Sequence, residues 1–512
     1  MLAKIFSASV IGLDAFIVEV ETHIEGGLPS FSTVGLPDAA VKESRERINA
    51  AIKNSYFQYP NRRIIVNLAP ADIKKEGSSY DLPTAVSILA ATSQVDVDNA
   101  EQYIILGELA LDGKIRPIKG ALPVALMISQ MKDKCFKGLI LPVENASEAA
   151  VIEDIDVFPV ESLTQVVNFL NRESDIEPVK VDLEKVFGEL NISNVDFSEV
   201  KGQYTAKRAL EIAAAGGHNI LMIGPPGSGK SMLAKRFATI LPDMTIEESL
   251  ETTKIYSVAG MLPPHKALYA TRPVRSPHHS ISDTALVGGG RIPRPGEISL
   301  SHNGVLFLDE LTEFKKNVLE VMRQPLEDRE VTIARAAQTL KFPANFMLIA
   351  AMNPCPCGYY RDPERTCSCG VTKIKNYLSK LSGPLLDRID IHIEVPTVKY
   401  EELEMKKAGE SSDSIRKRVL IARKIQLNRF KNEGIFSNSS MNNKLMEKYC
   451  ILDEASKSML KKAINSLGLS ARAYNRILKV SRTIADLECA ENIKASHVAE
   501  AIQYRSLDRK YI

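Results

Sequence analysis

Apolar and polar residues in the first third of the chain follow two different periods. Residues 38–54 place apolar side chains at helical spacing behind an aspartate suited to a helix N-cap, and 82–92 predicts a buried helix. Strand-like runs, alternating or continuously apolar, lie at 16–21, 63–68, 103–106 and 139–141. This mixture of periods predicts an α/β domain over residues 1–170.

A strand, a glycine-rich turn and a helix are predicted in succession near residue 220. The turn reads GPPGSGKS and fits the phosphate-loop pattern G-x-x-x-x-G-K-[ST]. Glycines let backbone N–H groups approach phosphate oxygens, and the following helix adds its positive end. The predicted ATP-binding residues are Gly224, Pro225, Pro226, Gly227, Ser228, Gly229, Lys230 and Ser231. Lys230 is expected to reach the β- and γ-phosphates and Ser231 to hold Mg²⁺; the alternative is an ordinary glycine turn.

The other half of an ATP site is predicted downstream. An apolar strand at 305–308 ends in Asp309, expected to hold the Mg²⁺ shell, and Glu310, expected to polarise the attacking water. A further strand ends before Asn353, a candidate for orienting that water. Arg388, beyond it, suits an arginine finger that acts on the neighbouring subunit. The alternative roles for these residues are capping and surface solvation.

Four of the seven cysteines fall within fifteen residues. They form two C-x-C pairs, Cys355 with Cys357 and Cys367 with Cys369. Four thiolates suit a structural, tetrahedral Zn²⁺ site and leave no open position for catalysis. The spacing differs from the common C-x₂-C, so free or redox-active thiols remain the alternative.

The composition is that of an ordinary globular protein. The 512 residues are 45% hydrophobic and 25% charged, and the net charge is +2, so nucleic-acid binding would have to come from local patches. We find no signal peptide and no apolar run of about 18 residues. The sequence therefore predicts a cytoplasmic protein without membrane partners.

Helical patterns dominate the C-terminal part. A basic stretch at 413–431 favours a solvated helix face, with contact to nucleic acid or a neighbouring subunit as alternatives. Three further helical patterns, at 453–467, 471–490 and 494–504, predict a small helical domain that closes over ATP.

Two stretches resemble the proteolytic domain of Lon-type proteases. They are KEGSSYDL at 75–82 and GELALDGKIRPIKGAL at 107–122. Ser79 falls at the nucleophile position of that family, but the position of its general-base lysine falls on Leu122. Because a serine hydroxyl needs an adjacent base, the resemblance implies a Lon-like fold without peptidase activity. Nearby Lys119 keeps a protease alternative open.

The nucleotide motifs together resemble those of AAA+ ATPases. The segments RSPHH (275–279), GGG (288–290), PRPGEI (293–298) and NGVLFLDEL (303–311) resemble the Mg-chelatase-like branch, and within it the ComM/YifB family. The resemblance covers the whole chain. It implies an α/β multidomain protein with a Lon-like α/β domain at 1–170, a linker at 171–196, an AAA+ P-loop core at 197–398 with a cysteine loop at 355–369, and a small helical lid at 399–512.

The resemblance also implies site residues and partners. Arg472 matches the second sensor of the lid, acting in cis or in trans, with Arg476 and Arg482 able to share the role. Two insertions are expected to point into a central pore, where Arg275 and Arg335 would contact DNA phosphates. His278 and His279 lie in the first insertion and are alternative metal ligands.

Family members are similar to ring-shaped, hexameric helicases that promote branch migration during natural transformation. The implied partners are therefore further copies of this chain and single-stranded or branched DNA. A subunit of a metal-insertion or protein-remodelling complex is the main alternative, although the chain contains no D-x-S-x-S metal-adhesion signature.

Overall fold

The computed structural model describes residues 2–131, 136–188, 195–290, 293–334, 339–398 and 409–507. The described residues form two compact units, one from residues 1–190 with 246–270 and the other from 191–245 with 271–512. The four-part division expected from the sequence stays a prediction.

The first unit is built on a mixed sheet. Its strands are β1 (Leu2–Ile11), β2 (Asp14–Glu25), β3 (Ser30–Val34), β4 (Arg63–Ala69), β5 (Tyr103–Ile105), β6 (Glu108–Leu109), β7 (Ile115–Arg116), β8 (Gly138–Pro142) and β9 (Asp156–Val160). Its helices within residues 1–190 are α1 (Ala39–Asn54), α2 (Asp81–Ala91), α3 (Val97–Ala100), α4 (Ala121–Ser129), α5 (Val143–Ala149), α6 (Leu163–Leu170) and α7 (Leu183–Gly188). Seven strands pair in the order β3-β4-β2-β1-β5-β8-β9. Within this seven-stranded sheet, the β1–β2 and β2–β4 pairs are antiparallel and the remaining four pairs are parallel.

Local sequence explains these elements. Val18 and Val20 of β2 are fully buried, whereas the alternate positions are partly exposed, as a half-buried strand requires. The side chain of Asp38 caps α1 by accepting a hydrogen bond from the Val41 N–H. All eleven residues of α2 are buried, which confirms the predicted core helix.

The second unit contains a parallel sheet. Residues 191–398 supply α8 (Tyr204–Gly216), β10 (Ile220–Ile223), α9 (Lys230–Phe237), α10 (Ile246–Ala259), β11 (Val274–Arg275), α11 (Asp283–Val287), β12 (Gly288–Gly289), β13 (Arg294–Pro295), α12 (Glu297–Leu300), β14 (Val305–Leu308), α13 (Lys316–Val321), α14 (Pro325–Asp328), β15 (Glu330–Ala334), β16 (Thr339–Pro343), β17 (Met347–Met352), α15 (Val371–Leu378), α16 (Gly383–Leu386) and β18 (Ile391–Glu394). The strand order is β11-β14-β17-β10-β18, and every pair is parallel. The carboxyl ends of β10, β14 and β17 therefore meet at one sheet edge.

Two ribbons interrupt this second unit as the family resemblance implies. The ribbon β12–β13 separates α11 from α12, and β15 pairs antiparallel with β16 to form a hairpin in which Glu330 lies opposite Pro343. Arg335, expected at the hairpin tip, lies outside the described residues.

The C-terminal helices share one hydrophobic core with the parallel sheet. They are α17 (Ser412–Arg429), α18 (Asn443–Tyr449), α19 (Glu454–Leu467), α20 (Ala471–Leu487) and α21 (Ala495–Gln503). Val419, Ile477 and Val498 belong to the same buried cluster as Ile220 of β10. The side chain of Ser470 caps α20. Across the described ranges, no helix is both long and apolar enough to cross a membrane.

Residues 246–270 pack with the first unit although they follow the glycine-rich turn in sequence. Helix α10 contacts α4, and Leu268 is buried beside Val151 and Phe187. Phe187 lies on α7, inside the stretch expected to be a linker. Apolar residues at 183, 186 and 187 give this stretch a helical face that packs against Leu268.

Candidate functional site

The glycine-rich turn joins the carboxyl end of β10 to α9. Gly227 and Gly229 have φ of +78° and +88°, and a Cβ at either position would meet nothing within 4 Å. Their conformation is therefore reserved for glycine, while the space in front of them stays open for a ligand. Gly224 differs, because a Cβ there would lie 2.2 Å from the Val395 carbonyl oxygen.

Lys230 extends into the concavity of the turn. Its Nζ donates to the carbonyl oxygens of Gly224 at 2.7 Å and Pro225 at 2.9 Å. The Asn353 Oδ1 atom lies 3.3 Å from the same nitrogen. Burial lowers the pKa of Lys230 to about 8, against the opposing influence of Asp309. The turn therefore brings a cation and the polar end of β17 together where a phosphate would bind.

The acidic end of β14 faces the same turn. Ser231 Oγ donates to Asp309 Oδ2 at 2.5 Å, so two hard oxygen ligands already lie side by side. This donor set fits Mg²⁺, which prefers hydroxyl, carboxylate and phosphate oxygens. Glu310 follows with φ of +52°, and its backbone N–H donates to Asp309 Oδ1 at 2.9 Å.

His279 contacts the predicted catalytic glutamate. Its Nδ1 atom lies 3.5 Å from Glu310 Oε2, and its ring packs edge-on to Phe314. The neighbouring His278 instead bonds to Ser280. Among the described residues, the group of side chains placed to bind a metal consists of the four cysteines and includes neither histidine. Metal binding was an alternative for this histidine pair, and its contact with Glu310 was not predicted from the sequence.

Arg388 is not displayed on the surface. Its side chain is only 8% exposed, and it pairs with the carboxylate of Glu327 on α14. Its Nη1 donates to the Pro384 carbonyl oxygen at 2.7 Å. Arg472 of the C-terminal helices also contacts Glu327, with 3.4 Å between Nη2 and Oε1. The two arginines expected to act on phosphate thus converge on one carboxylate.

Arg476 and Arg482, which the sequence suggested could share the role of Arg472, form ion pairs within the fold. Arg476 pairs with Asp390, which is 2% exposed and also accepts the Asn219 backbone N–H at 2.9 Å. Although burial acts to raise it, the pKa of Asp390 lies well below its usual range because Arg476 and His218 are adjacent. Arg482 pairs with Asp486 and donates to the carbonyl oxygens that follow α20.

The four cysteines converge. Their Sγ atoms all lie within 4.8 Å of one another, with 3.3, 3.7 and 3.6 Å between the members of the Cys355, Cys357 and Cys367 group. A tetrahedral site with Zn–S bonds of about 2.3 Å has S–S edges of about 3.8 Å, so the donors fit. The Tyr359 backbone N–H lowers the pKa of Cys357 to about 5, which favours a thiolate ligand.

The cysteine loop touches the glycine-rich turn. Gly358 follows the first cysteine pair with φ of +87°, and a Cβ there would lie 2.3 Å from Pro226 Cδ. This contact connects the cysteine loop to the nucleotide turn.

The predicted DNA-contacting arginine Arg275 is engaged within the fold. Two of its guanidinium nitrogens each donate to a different Glu297 carboxylate oxygen, both at 2.7 Å. Arg272, in the same insertion, donates to carbonyl oxygens of Pro242 and Asn303. These contacts hold the base of the insertion together.

A buried leucine occupies the general-base position of the region that resembles Lon proteases. Leu122 is fully buried and apolar, and a Cβ on Gly260 would lie 2.4 Å from Lys119 Cε. Lys119 therefore packs against the end of α10. The backbone carbonyl of Ser79 accepts a hydrogen bond from Gly107.

Sequence reasoning gave Gln203 and Glu327 no role. The Gln203 side chain donates to the carbonyl oxygens of Ser228 and Pro396, which ties the glycine-rich turn to the end of β18. Glu327 lies in an acidic run that is typical of a solvated surface.

Comparison with known proteins covers the whole chain. Profiles described as "Magnesium chelatase, subunit ChlI", "Subunit ChlI of Mg-chelatase" and "Magnesium chelatase, subunit ChlI C-terminal" match residues 196–403, 20–145 and 409–505. Competence protein ComM of Haemophilus influenzae is 45% identical over 99% of this chain and 98% of its own length. Uncharacterized protein YifB of Salmonella typhimurium is 42% identical over 100% of this chain and 98% of its own length. The Magnesium-chelatase 38 kDa subunit of Rhodobacter capsulatus is 25% identical over 31% of this chain and 50% of its own.

Proposed function

Because the chain belongs to the ComM and YifB family of Mg-chelatase-like AAA+ ATPases, we propose that it is a ring-forming ATPase that moves on DNA. Its specific role would be to promote branch migration of recombination intermediates during natural transformation. The observation that carries the ATPase part is the convergence of Lys230, Ser231, Asp309 and Asn353 around one open glycine-rich turn.

Each residue has a defined task in this proposal. Lys230 exchanges its carbonyl partners for phosphate oxygens, and Ser231 with Asp309 would hold Mg²⁺. The bound metal supplies positive charge to the phosphates. Glu310 accepts a proton from the attacking water, Asn353 orients that water, and Arg388 of a neighbouring subunit stabilises transition-state charge. Arg472 would contact the phosphates from the lid.

The DNA part of the proposal is supported by family membership. The relative from Haemophilus influenzae is named for competence and is similar over nearly its full length. Arg275 and Arg335 remain the proposed contacts to the phosphate backbone, Arg275 only if its pair with Glu297 opens. A hexamer is the proposed assembly, and the cytoplasm the proposed location.

Structural Zn²⁺ is proposed for Cys355, Cys357, Cys367 and Cys369. The supporting observations are the tetrahedral spacing of the sulfur atoms and the contact of the loop with Pro226. Zinc there would rigidify the cysteine loop and, through Gly358, one wall of the nucleotide turn.

The decisive experiment measures ATPase rate against protein concentration, with and without single-stranded and forked DNA. We expect the rate to rise with concentration and with DNA. Arg388→Ala should lose about 10³-fold in rate, and mixing it with Lys230→Ala should restore part of the activity, because the lysine variant still carries a finger. If mixing restores nothing while each variant remains folded and oligomeric, the shared site is refuted.

An ATPase subunit or chaperone of a metal-insertion or protein-remodelling complex is the second candidate. It is favoured by the three magnesium-chelatase profiles that match along the chain. If DNA changes neither ATPase rate nor assembly, the DNA motor is refuted and this candidate takes its place.

A further inference from the structure

Glu327 is the meeting point of two distant arginines. It lies in α14, and one carboxylate oxygen pairs with Nη2 of Arg388 while the other faces Nη2 of Arg472 at 3.4 Å. The two partners lie 61 and 145 residues further along the chain, on different elements. A single carboxylate therefore pairs with both arginines that the proposed function assigns to the nucleotide phosphates.

Arg388 is withdrawn by this contact. Its side chain is 8% exposed, and its Nε has no hydrogen-bond partner among the described residues. It lines a cleft of about 660 Å³. The charged residues of the cleft are Asp283, Glu320, Arg323, Glu327, Asp328 and Arg388.

The charge of the cleft explains why Arg388 stays there. Four carboxylates face two guanidinium groups, so the cleft attracts cations and repels a polyphosphate. An arginine buried in it cannot reach a phosphate on another chain without leaving Glu327. A phosphate group is the stronger competitor, because it offers more charge and more acceptor oxygens to the same guanidinium fork.

We propose that Glu327 is a positioning residue that keeps Arg388 withdrawn and Arg472 paired in the isolated chain and yields both arginines to nucleotide phosphate on assembly. The arginines leave Glu327 only when a neighbouring subunit presents bound nucleotide, so hydrolysis becomes dependent on assembly. This inference rests on the proposed function, since it requires that Arg388 acts in trans.

The test is the concentration dependence of ATPase activity in Glu327→Gln. The amide keeps the size of the side chain and removes its charge, so the arginines should be released more easily. We expect the protein concentration for half-maximal specific activity to fall by about threefold to tenfold, while KM for ATP at saturating protein stays unchanged. Glu327→Asp, which restores the charge, should return the threshold toward that of the wild type.

Two further variants tie the effect to the arginine. Glu320→Gln removes one charge from the same cleft, where Glu320 pairs with Arg323 and not with Arg388, and should lower the threshold by less than about twofold. The double variant Glu327→Gln, Arg388→Ala should lose the gain entirely. Thermal unfolding of each variant establishes that it is folded.

Two results would overturn the inference. One is an unchanged threshold in Glu327→Gln, and the other is a loss of maximal rate, which would mean that the assembled site needs the carboxylate. Failure of the proposed function has a different signature, because Arg388→Ala alone would then keep full activity and the wild-type rate would not depend on concentration.

Discussion

Asp390 offers a sharp test of what holds the second unit together. It lies just before β18, is 2% exposed, and accepts the Asn219 backbone N–H at 2.9 Å. It also pairs with Arg476 of α20 and lies 3.7 Å from His218 Nδ1. Asp390→Ala would leave a buried N–H without an acceptor and Arg476 without its counter-ion.

The expected magnitude follows from burial. Removing one partner of a buried ion pair costs about 3 to 5 kcal/mol. The Arg476 side chain retains 20% exposure and can be partly solvated, so we expect the lower end, about 3 kcal/mol. Because the folded-state pKa of Asp390 is depressed, its contribution is fully present above the ordinary carboxyl pKa and is lost only as pH falls through the folded-state value. The full effect is therefore expected at pH 7.

Hydrogen exchange is the suitable assay, because it reports the free energy of opening for individual segments of a multi-domain chain. Peptides that cover β10 and β18 should exchange about 100-fold faster in Asp390→Ala at pH 7. Asp243→Ala removes an exposed pair with Arg416 in the same unit and should change exchange by less than about fivefold. Equal effects of the two variants would refute the assignment of Asp390 as a buried counter-ion.

Three further predictions concern the cysteine loop and the first unit. Gly358→Ala should weaken ATP binding about tenfold in calorimetry, because a side chain is strained at a φ of +87° and its Cβ would meet Pro226. Gly370→Ala is the control, since a Cβ there meets nothing within 4 Å, and it should bind ATP as the wild type does. Equal ATP affinities of the two variants would contradict the contact between Gly358 and Pro226. Metal analysis of the purified chain should find one zinc per chain, and Cys357→Ser should lose that zinc together with some affinity for ATP. A wild-type chain that holds no zinc and binds ATP normally would exclude the zinc site. Burial raises the pKa of Glu148 to about 7, against a hydrogen bond that the Asn145 side chain donates to it, so the first unit should lose stability as pH rises from about 4.5 to 7. Glu148→Gln should flatten that slope in urea titrations; an unchanged slope would assign it to other groups.

Short-range chemistry explains what the sequence predicted well. The elements around Lys230, Asp309 and Asn353 are specified by apolar runs and glycine positions within a few residues of each side chain. Parallel pairing of β10, β14 and β17 then brings their ends to one edge without further information. The α/β architecture was predictable for the same reason, whereas the hairpin β15–β16 was implied by the family resemblance.

The features that were not predicted depend on contacts between residues far apart in the chain, and such contacts leave no local signal in the sequence. Glu327 sits in an acidic run whose pattern is that of a solvated surface, and its partners are far along the chain. His279 contacts Glu310, which lies 31 residues further along the chain, whereas the sequence offered metal binding as the alternative role for this histidine. Helix α10 has the same apolar spacing whichever unit it packs against, so its place in the first unit could not be read from periodicity.

The segment that follows α16 explains why Arg388 and the C-terminal helices should move together. Asp387 accepts a hydrogen bond from Ser470, the cap of α20, at 3.5 Å, and Asp390 pairs with Arg476, which lies nearly two turns further along the same helix. Arg388, between the two aspartates, pairs with Glu327, which also contacts Arg472. Helix α20 is thus attached on both sides of Arg388 and to its counter-ion. We therefore expect a displacement of α20 to act on Arg388 through these three contacts, so that movement of the C-terminal helices and release of the arginine are coupled.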